Sequence, residues 1–389
     1  MLCKEPAITL LILIIAYDYS QTLKFKKIFS DINKYMPYFI LALLYLALRY
    51  NALGGFAPSK QYSKLTNYEL VINAFALFQE FLTKLIIPIN LNVFHDFKPL
   101  NSIFSTSGII SFAAITAFII AIYFARKNKI LFLSLIMILV PLLPALYIPG
   151  IGKNPFAERY LYLPSAGFAI LISLLIGYSF SKKHYVNILN VLLLVVALTF
   201  FGGTFSRNYV WKSDLTLWTD TVKKSPYNAW VHEYYGYALY VNGQVDEAVK
   251  EYHDSIKTDN SIPDAHINLG VAYFTKGLID EAIKEFLKTI EIKPDFVEAH
   301  DYLGRAYEQK GLTEKAFIEY KKSIEIDNNY SEGHYQVGRI YFINRDPERA
   351  LNEFNIALKI NPLNKLYQDT VNELMQVYPA IAEKNPFPE

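Results

Sequence analysis

The chain has one cysteine, Cys3, in 389 residues. That scarcity excludes an intramolecular disulfide, a thiolate metal cage and a dithiol redox pair. Net charge is nearly lacking too, at +2, so the strongly basic surface that nucleic-acid binding needs is missing, and no nucleic-acid partner is expected. The first residues hold no basic stretch and no small-residue cleavage site, and Lys4 and Glu5 interrupt them, so they do not read as a signal peptide. Charged residues make up only 19%, against 52% hydrophobic and 15% aromatic. That is too apolar for an ordinary soluble chain of this length, and part of it is expected to lie in a membrane.

The near-neutral total hides a split. Residues 1–204 hold 17 Lys and Arg against 7 Asp and Glu, whereas residues 205–389 hold 21 against 29. A basic, apolar half suits anionic lipid, and an acidic, charge-mixed half suits water. Apolar runs fall at 6–19, 35–50, 103–125, 130–149, 160–180 and 185–204, several near the ~20 residues a bilayer span needs. Basic clusters follow alternate runs: Lys24, Lys26 and Lys27; Arg126, Lys127 and Lys129; Lys182 and Lys183. The positive-inside rule makes these three cytoplasmic. Six crossings then put residues 205–389 outside the cytoplasm. Residues 67–94 are apolar but contain Glu80, Lys84 and Pro88, and read as an interfacial or re-entrant element.

The second half repeats. Gly236, Gly270, Gly304 and Gly338 are 34 residues apart, as are Ala248, Ala282, Ala316 and Ala350, and the aromatics Tyr252, Phe286, Tyr320 and Phe354. Small residues at helix crossings, with a large aromatic four positions after the second, give two antiparallel helices per unit: the tetratricopeptide signature. It stands as "AHINLGVAYFTKGLIDEAIKEFLKTIEIKPD" and "AHDYLGRAYEQKGLTEKAFIEYKKSIEID". Turn glycines recur at Gly243, Gly277 and Gly311, while the fourth repeat has Arg345 there. The fold class is therefore all-α, a polytopic membrane domain (1–204) followed by an α-solenoid. Within the solenoid, 205–228 is a half-repeat linker, 229–262, 263–296, 297–330 and 331–364 are four repeats, and 365–389 holds a capping helix and tail.

His232, His266, His300 and His334 keep the same spacing. Equivalent positions of successive repeats are too far apart to share a metal at ~2 Å bond lengths. They read as core or groove-lining side chains, and no metal is assigned. The concave face of such an array is expected to display Glu233, Asp264, Glu298, Asp301 and Glu332, with Arg305 and Arg339, Asn268, and the aromatics Tyr240, Phe274 and Phe342. A groove of that composition suits an extended protein or peptide partner carrying positive charge.

The expected topology also gathers Lys4, Glu5, Arg49, Glu158 and Arg159 at extracytoplasmic ends of apolar runs, beside Tyr160. Ionisable residues collected on one membrane face point to a site. Arg and Lys at helix ends also snorkel to headgroups, and adjacent Glu158 and Arg159 can satisfy each other as a local ion pair, so these residues alone leave both readings open.

In order along the chain, "LCKEPAITLLILIIAYDY", "LRYNALGGF", "LTKLIIPINL", "AERYLYLPSAGF" and "RNYVWKSDLTLW", followed by the repeats, resemble the transmembrane and tetratricopeptide repeat-containing (TMTC) family and its prokaryotic relatives. The resemblance implies a membrane glycosyltransferase of the C type, O-mannosyltransferase-like, which takes a sugar from a polyprenyl-phosphate carrier and delivers it outside the cytoplasm. It further implies that Arg159, Arg49 and Lys4 bind the carrier's phosphate, with Tyr160 and Tyr162 at headgroup level and Glu5 or Glu158 orienting them. The residues themselves establish no cofactor. In that family the acidic catalytic motif lies in a first extracytoplasmic loop that this chain is expected to lack. A mis-assigned start, a split gene and a degenerate paralogue would each account for it. Two functions stay open: a portion of a lipid-linked-sugar glycosyltransferase whose repeats recruit the acceptor, and a noncatalytic membrane scaffold whose repeats bind partners.

Overall fold

In the computed structural model of this chain, the described residues are 9–23, 25–53, 65–95, 99–146, 158–180 and 186–379. They form α-helices, a few 3-10 turns and, among the described residues, no strand. The chain divides into two compact units, Met1–Ser225 and Pro226–Glu389.

The first unit runs α1 (Leu10–Thr22), α2 (Phe25–Ser30), α3 (Ile32–Leu53), α4 (Asn67–Ile86), α5 (Thr106–Ala125), α6 (Lys129–Leu139), α7 (Tyr162–Phe180), α8 (Val186–Val210) and α9 (Asp214–Lys224). A 3-10 segment, Val140–Leu146, prolongs α6, and another, Glu158–Leu161, leads into α7. Among the described residues two helices, Thr106–Ala125 and Lys129–Leu146, are long and apolar enough to cross a membrane. Shorter apolar stretches occupy α1, α3 and α7. Along α5, Ile109, Ile110, Phe112, Ile119, Ile120 and Phe124 are exposed, Phe124 by 75%. A surface of that kind suits lipid. Six crossings stand as a proposal.

Helix α7 packs closely on α6, where a Cβ at Gly167 would meet the Ser134 carbonyl oxygen at 2.6 Å. Helix α1 lies on the start of α6: Ala16 joins Ala125, Phe132 and Leu135, the Tyr19 and Phe132 rings are 5.5 Å apart, and Lys129 Nζ donates to Gln21 Oε1 at 3.3 Å. The end of α1 and the start of α6 are thus level. Helix α4 opens on a capping box in which Thr66 Oγ1 accepts from the Glu69 amide while Glu69 accepts from the Thr66 amide. Its face Leu77, Phe78 and Phe81 is fully buried against Leu142, Ala145 and Tyr160. The helix 214–224, expected as part of a separate linker, packs within this unit. There Phe94 meets Trp218, Lys224 Nζ donates to the Leu91 carbonyl at 2.8 Å, and Ser225 Oγ donates to that of Phe94 at 2.8 Å.

The second unit is four helix pairs and a cap. Its inner helices are α10 (Ala229–Val241), α12 (Pro263–Thr275), α14 (Val297–Gln309) and α16 (Ser331–Ile343). The outer ones are α11 (Val245–Thr258), α13 (Ile279–Ile292), α15 (Thr313–Ile326) and α17 (Pro347–Ile360), and α18 (Lys365–Val377) closes the row. Each inner glycine lies under the outer aromatic of its own pair. A Cβ at Gly270 would stand 2.5 Å from the Phe286 ring, and at Gly304 2.6 Å from that of Tyr320. Phe286 and Tyr320 are fully buried as a result.

The turn between the helices of a pair needs a left-handed residue. Gly243, Gly277 and Gly311 take φ of 82°, 75° and 74°, and Arg345 takes 62°. A side chain there crowds its own backbone. Replacing Arg345 with Gly is therefore expected to stabilise the repeat unit by about 0.5–1 kcal/mol, the relieved strain exceeding the added unfolded-chain entropy. Urea unfolding measures it, and an unchanged or lowered midpoint would contradict the strain.

Candidate functional site

The four histidines form a ladder buried inside the array. Nδ1 of His232, His266, His300 and His334 lies 2.7, 2.6, 2.7 and 2.7 Å from a carboxylate oxygen of Glu251, Glu285, Glu319 and Glu353 on the outer helix of the same pair. Nε2 faces a backbone carbonyl six residues upstream, at Pro226, Asn260, Pro294 and Asn328. Each ring clamps inner helix, outer helix and preceding turn together. At His232 both nitrogens face acceptors, and the bond from Glu251, against burial, raises its pKa above the ordinary value. Each of these glutamates sits one residue before the repeating aromatic, a periodic position whose partner the sequence does not show. Among the described residues one group, His232, Glu251 and Asp254, is close enough to hold a metal. Both ring nitrogens there are already engaged, and Asp254 is replaced by Lys288, Lys322 and Ile356 in the later repeats.

The residues expected on the concave face separate into two sets. Glu233 and Asp301 are 4% and 1% exposed, which corrects their assignment to the open groove. Glu233 is tied to the neighbouring inner helix, Asn268 Nδ2 donating to its Oε1 at 2.8 Å, whereas Asp301 is held within its own helix, Arg305 Nε donating to its Oδ2 at 2.8 Å. Arg305 then reaches the next helix, donating to Glu332 Oε1 at 2.7 Å, and Glu332 also accepts from Gln336 and from the Tyr367 hydroxyl. Arg339 is held by Glu308 and Gln336, and Glu308 accepts from Tyr320 as well. Phe274 is half-buried against the core around Phe286, and the Tyr240 hydroxyl pairs with Thr275. Glu298 is exposed and Asp264 partly so, each in the first turn of its helix and, among the described residues, without an ion pair. Phe342, 45% exposed, borders a cavity of about 360 Å³ with Arg339, Ile343 and Val377.

Of the residues expected at the membrane face, Lys4 and Glu5 lie outside the described residues, as do the side chains of Arg49, Glu158 and Arg159. Tyr160 is described, and it corrects the expectation of a headgroup-level ring. It is 7% exposed and stands edge-on to Phe81 at 6.4 Å, because the tight 3-10 turn points it into the α4 core, whereas Tyr162 is 82% exposed.

Family models described as "TPR repeat" match residues 236–277 and 272–311, and one described as "Tetratricopeptide repeat" matches 298–330. A protein O-mannosyl-transferase of Caenorhabditis elegans is 31% identical over 180 residues, 46% of this chain and 26% of that protein. Protein O-mannosyl-transferase TMTC3 of Homo sapiens is 30% identical over 149 residues, 38% of this chain and 16% of that protein. Residues 236–330 thus match tetratricopeptide repeats, and the chain is similar to the TMTC O-mannosyl-transferases. It spans about a quarter or less of the length of these relatives. Among solved structures, that of Pseudomonas aeruginosa pilF is 15% identical, with a TM-score of 0.40, over 47% of this chain and 83% of that one.

Within the tetratricopeptide array, Asp301 is the strained acid. Burial pushes its carboxyl up to about 6; Arg305 opposes the rise and Glu332 reinforces it. Its Oδ1 is buried without a hydrogen-bond partner, so the ion pair does not recover the burial cost. The folded state holds the Asp301 proton more tightly than the unfolded chain, so ionising it costs stability as pH rises from about 4 to 6, and the cost persists above. Asp301→Asn removes that cost while Glu332 still holds Arg305. The stability advantage of the variant should grow by about 3 kcal/mol between acid and neutral pH in urea unfolding. A gap that stays flat or narrows would count against it.

Proposed function

We propose that this chain is a membrane-anchored protein whose tetratricopeptide array holds an extended, cation-bearing polypeptide outside the cytoplasm. In this reading it belongs to a machinery that transfers sugar from a polyprenyl-phosphate carrier to that polypeptide. The observation that carries the array's role is the state of its charges. Arg305 and Arg339 are consumed by Glu332 and Glu308, so the acids left over, Glu298 and Asp264, are available to a partner. A −8 balance over residues 205–389 supports a positively charged partner, and exposed Phe342 adds apolar contact. The transferase part rests on the similarity to the O-mannosyl-transferases of Caenorhabditis elegans and Homo sapiens. Within it, Arg159, Arg49 and Lys4 are proposed to take the carrier's phosphate, since guanidinium donates paired hydrogen bonds to phosphate oxygens.

Two features of the first unit support the sidedness. The Lys129–Gln21 bond sets the basic clusters after α1 and α5 at one level, as a shared cytoplasmic face requires. Asn73 binds both backbone groups of Leu100, at 2.6 and 2.9 Å, returning the chain after α4 to that helix's own first half. Such a return suits an element that does not cross.

With the full chain in nanodiscs, lysine-bearing extended peptides should bind more tightly than uncharged ones, and Glu298→Lys should weaken them up to about fivefold, a screened pair being worth ~1 kcal/mol or less. Lys322→Glu on the outer helix is the control. Binding indifferent to peptide charge and to Glu298 would remove the groove from consideration. Protease added to intact spheroplasts should digest residues 205–389, and complete protection would reverse the topology.

A further inference from the structure

The first three helices line two adjoining, half-open cavities of different character. One, about 140 Å³, is lined by Asp18, Lys27, Asp31 and Lys34. The other, about 380 Å³, is lined by Leu11, Ile15, Phe29, Ile32, Met36 and Phe39. Ile28 and Tyr35 border both, so a polar chamber opens beside an apolar one. An elongated molecule with a polar end and a hydrocarbon end matches that pair.

The charges narrow the polar end. Lys34 Nζ and the Tyr35 hydroxyl both donate to Asp18 Oδ2, at 2.6 and 2.8 Å, so Asp18 and Lys34 satisfy each other. Lys27 and Asp31 remain. Both are exposed, and among the described residues the Asp31 carboxylate takes only a bond from the neighbouring Ser30 hydroxyl. What is left is one ammonium and one carboxylate at the mouth of an apolar chamber. A headgroup that is purely anionic satisfies Lys27 but sets its phosphate against Asp31; one carrying both phosphate and a primary amine satisfies both.

We propose that these cavities bind one phospholipid with a phosphoethanolamine headgroup. Its phosphate lies at Lys27, its ammonium donates to Asp31, and an acyl chain fills the chamber walled by Ile15, Phe29 and Met36. The proposal rests on the reading of the first unit as membrane-embedded. Under that reading the site faces the cytoplasmic leaflet, away from Lys4, Arg49 and Arg159.

The test is native mass spectrometry of the full chain released from detergent, with phosphatidylethanolamine, phosphatidylcholine, phosphatidylglycerol and water-soluble phosphoethanolamine as separate probes. One phosphatidylethanolamine per chain should be retained over the others. Lys27→Glu and Asp31→Lys should each lower that retention about tenfold, and the two together should restore part of it, since the charges have changed places. Ile15→Trp, which fills the apolar chamber and leaves the charges alone, should also release the lipid. Equal retention of the three phospholipids, insensitivity to all the substitutions, or equal binding of free phosphoethanolamine would each overturn the proposal. A chain that stays monodisperse without detergent would instead overturn the membrane reading beneath it.

Discussion

The array depends on how each inner helix is fixed to its outer one. A missing side chain at Gly270 or Gly304 lets the ring of Phe286 or Tyr320 come up against the inner backbone, and the histidine–glutamate bond closes the same pair a turn away. The first contact is apolar and sets distance; the second is polar and sets rotation, since an imidazole between a carboxylate and a carbonyl has one orientation. With distance and rotation set, the inner face of each pair is determined, and the row follows by repetition.

Once the inner helices stand side by side, the ionisable groups between them are forced into partnership. Asp301 and Glu332 share Arg305, and Glu308 takes Arg339 and the Tyr320 hydroxyl. Burial makes such bonds obligatory without making them strongly stabilising, because desolvation offsets most of the attraction. The elevated carboxyl of Asp301 is the sign that the offset is incomplete there. The acids this network does not use, Glu298 and Asp264, are the ones the proposed recognition calls on.

In the first unit the helices meet differently. Helices whose outward faces carry Ile, Phe and Leu come together through close backbone approach, as at Gly167, and through polar ties such as Lys129 to Gln21; under the proposed membrane reading, lipid leaves no hydrophobic gain to drive that association. Helix α4 is the exception, packed like a soluble core helix on one face. Its mixed sequence, with Glu80 and Lys84 among apolar residues, matches that position.

The sequence by itself determined whatever repeats or runs. A 34-residue spacing of small and aromatic residues specifies two helices per repeat, the turn glycines mark the left-handed positions, and Arg345 is visible as the exception because the period shows what should stand there. Length and apolarity mark the candidate spans in the same way. The glutamates of the ladder were legible by the same periodicity, one residue before each aromatic, but a periodic residue does not declare its partner. Only the tertiary structure decided that Glu285 meets His266, that Asp301 is buried while Glu298 is exposed, that Arg305 bridges to Glu332, and that Tyr160 turns inward to Phe81. Periodicity reports which face of its own helix a residue occupies, and burial and pairing depend on what the neighbouring helix brings to that face.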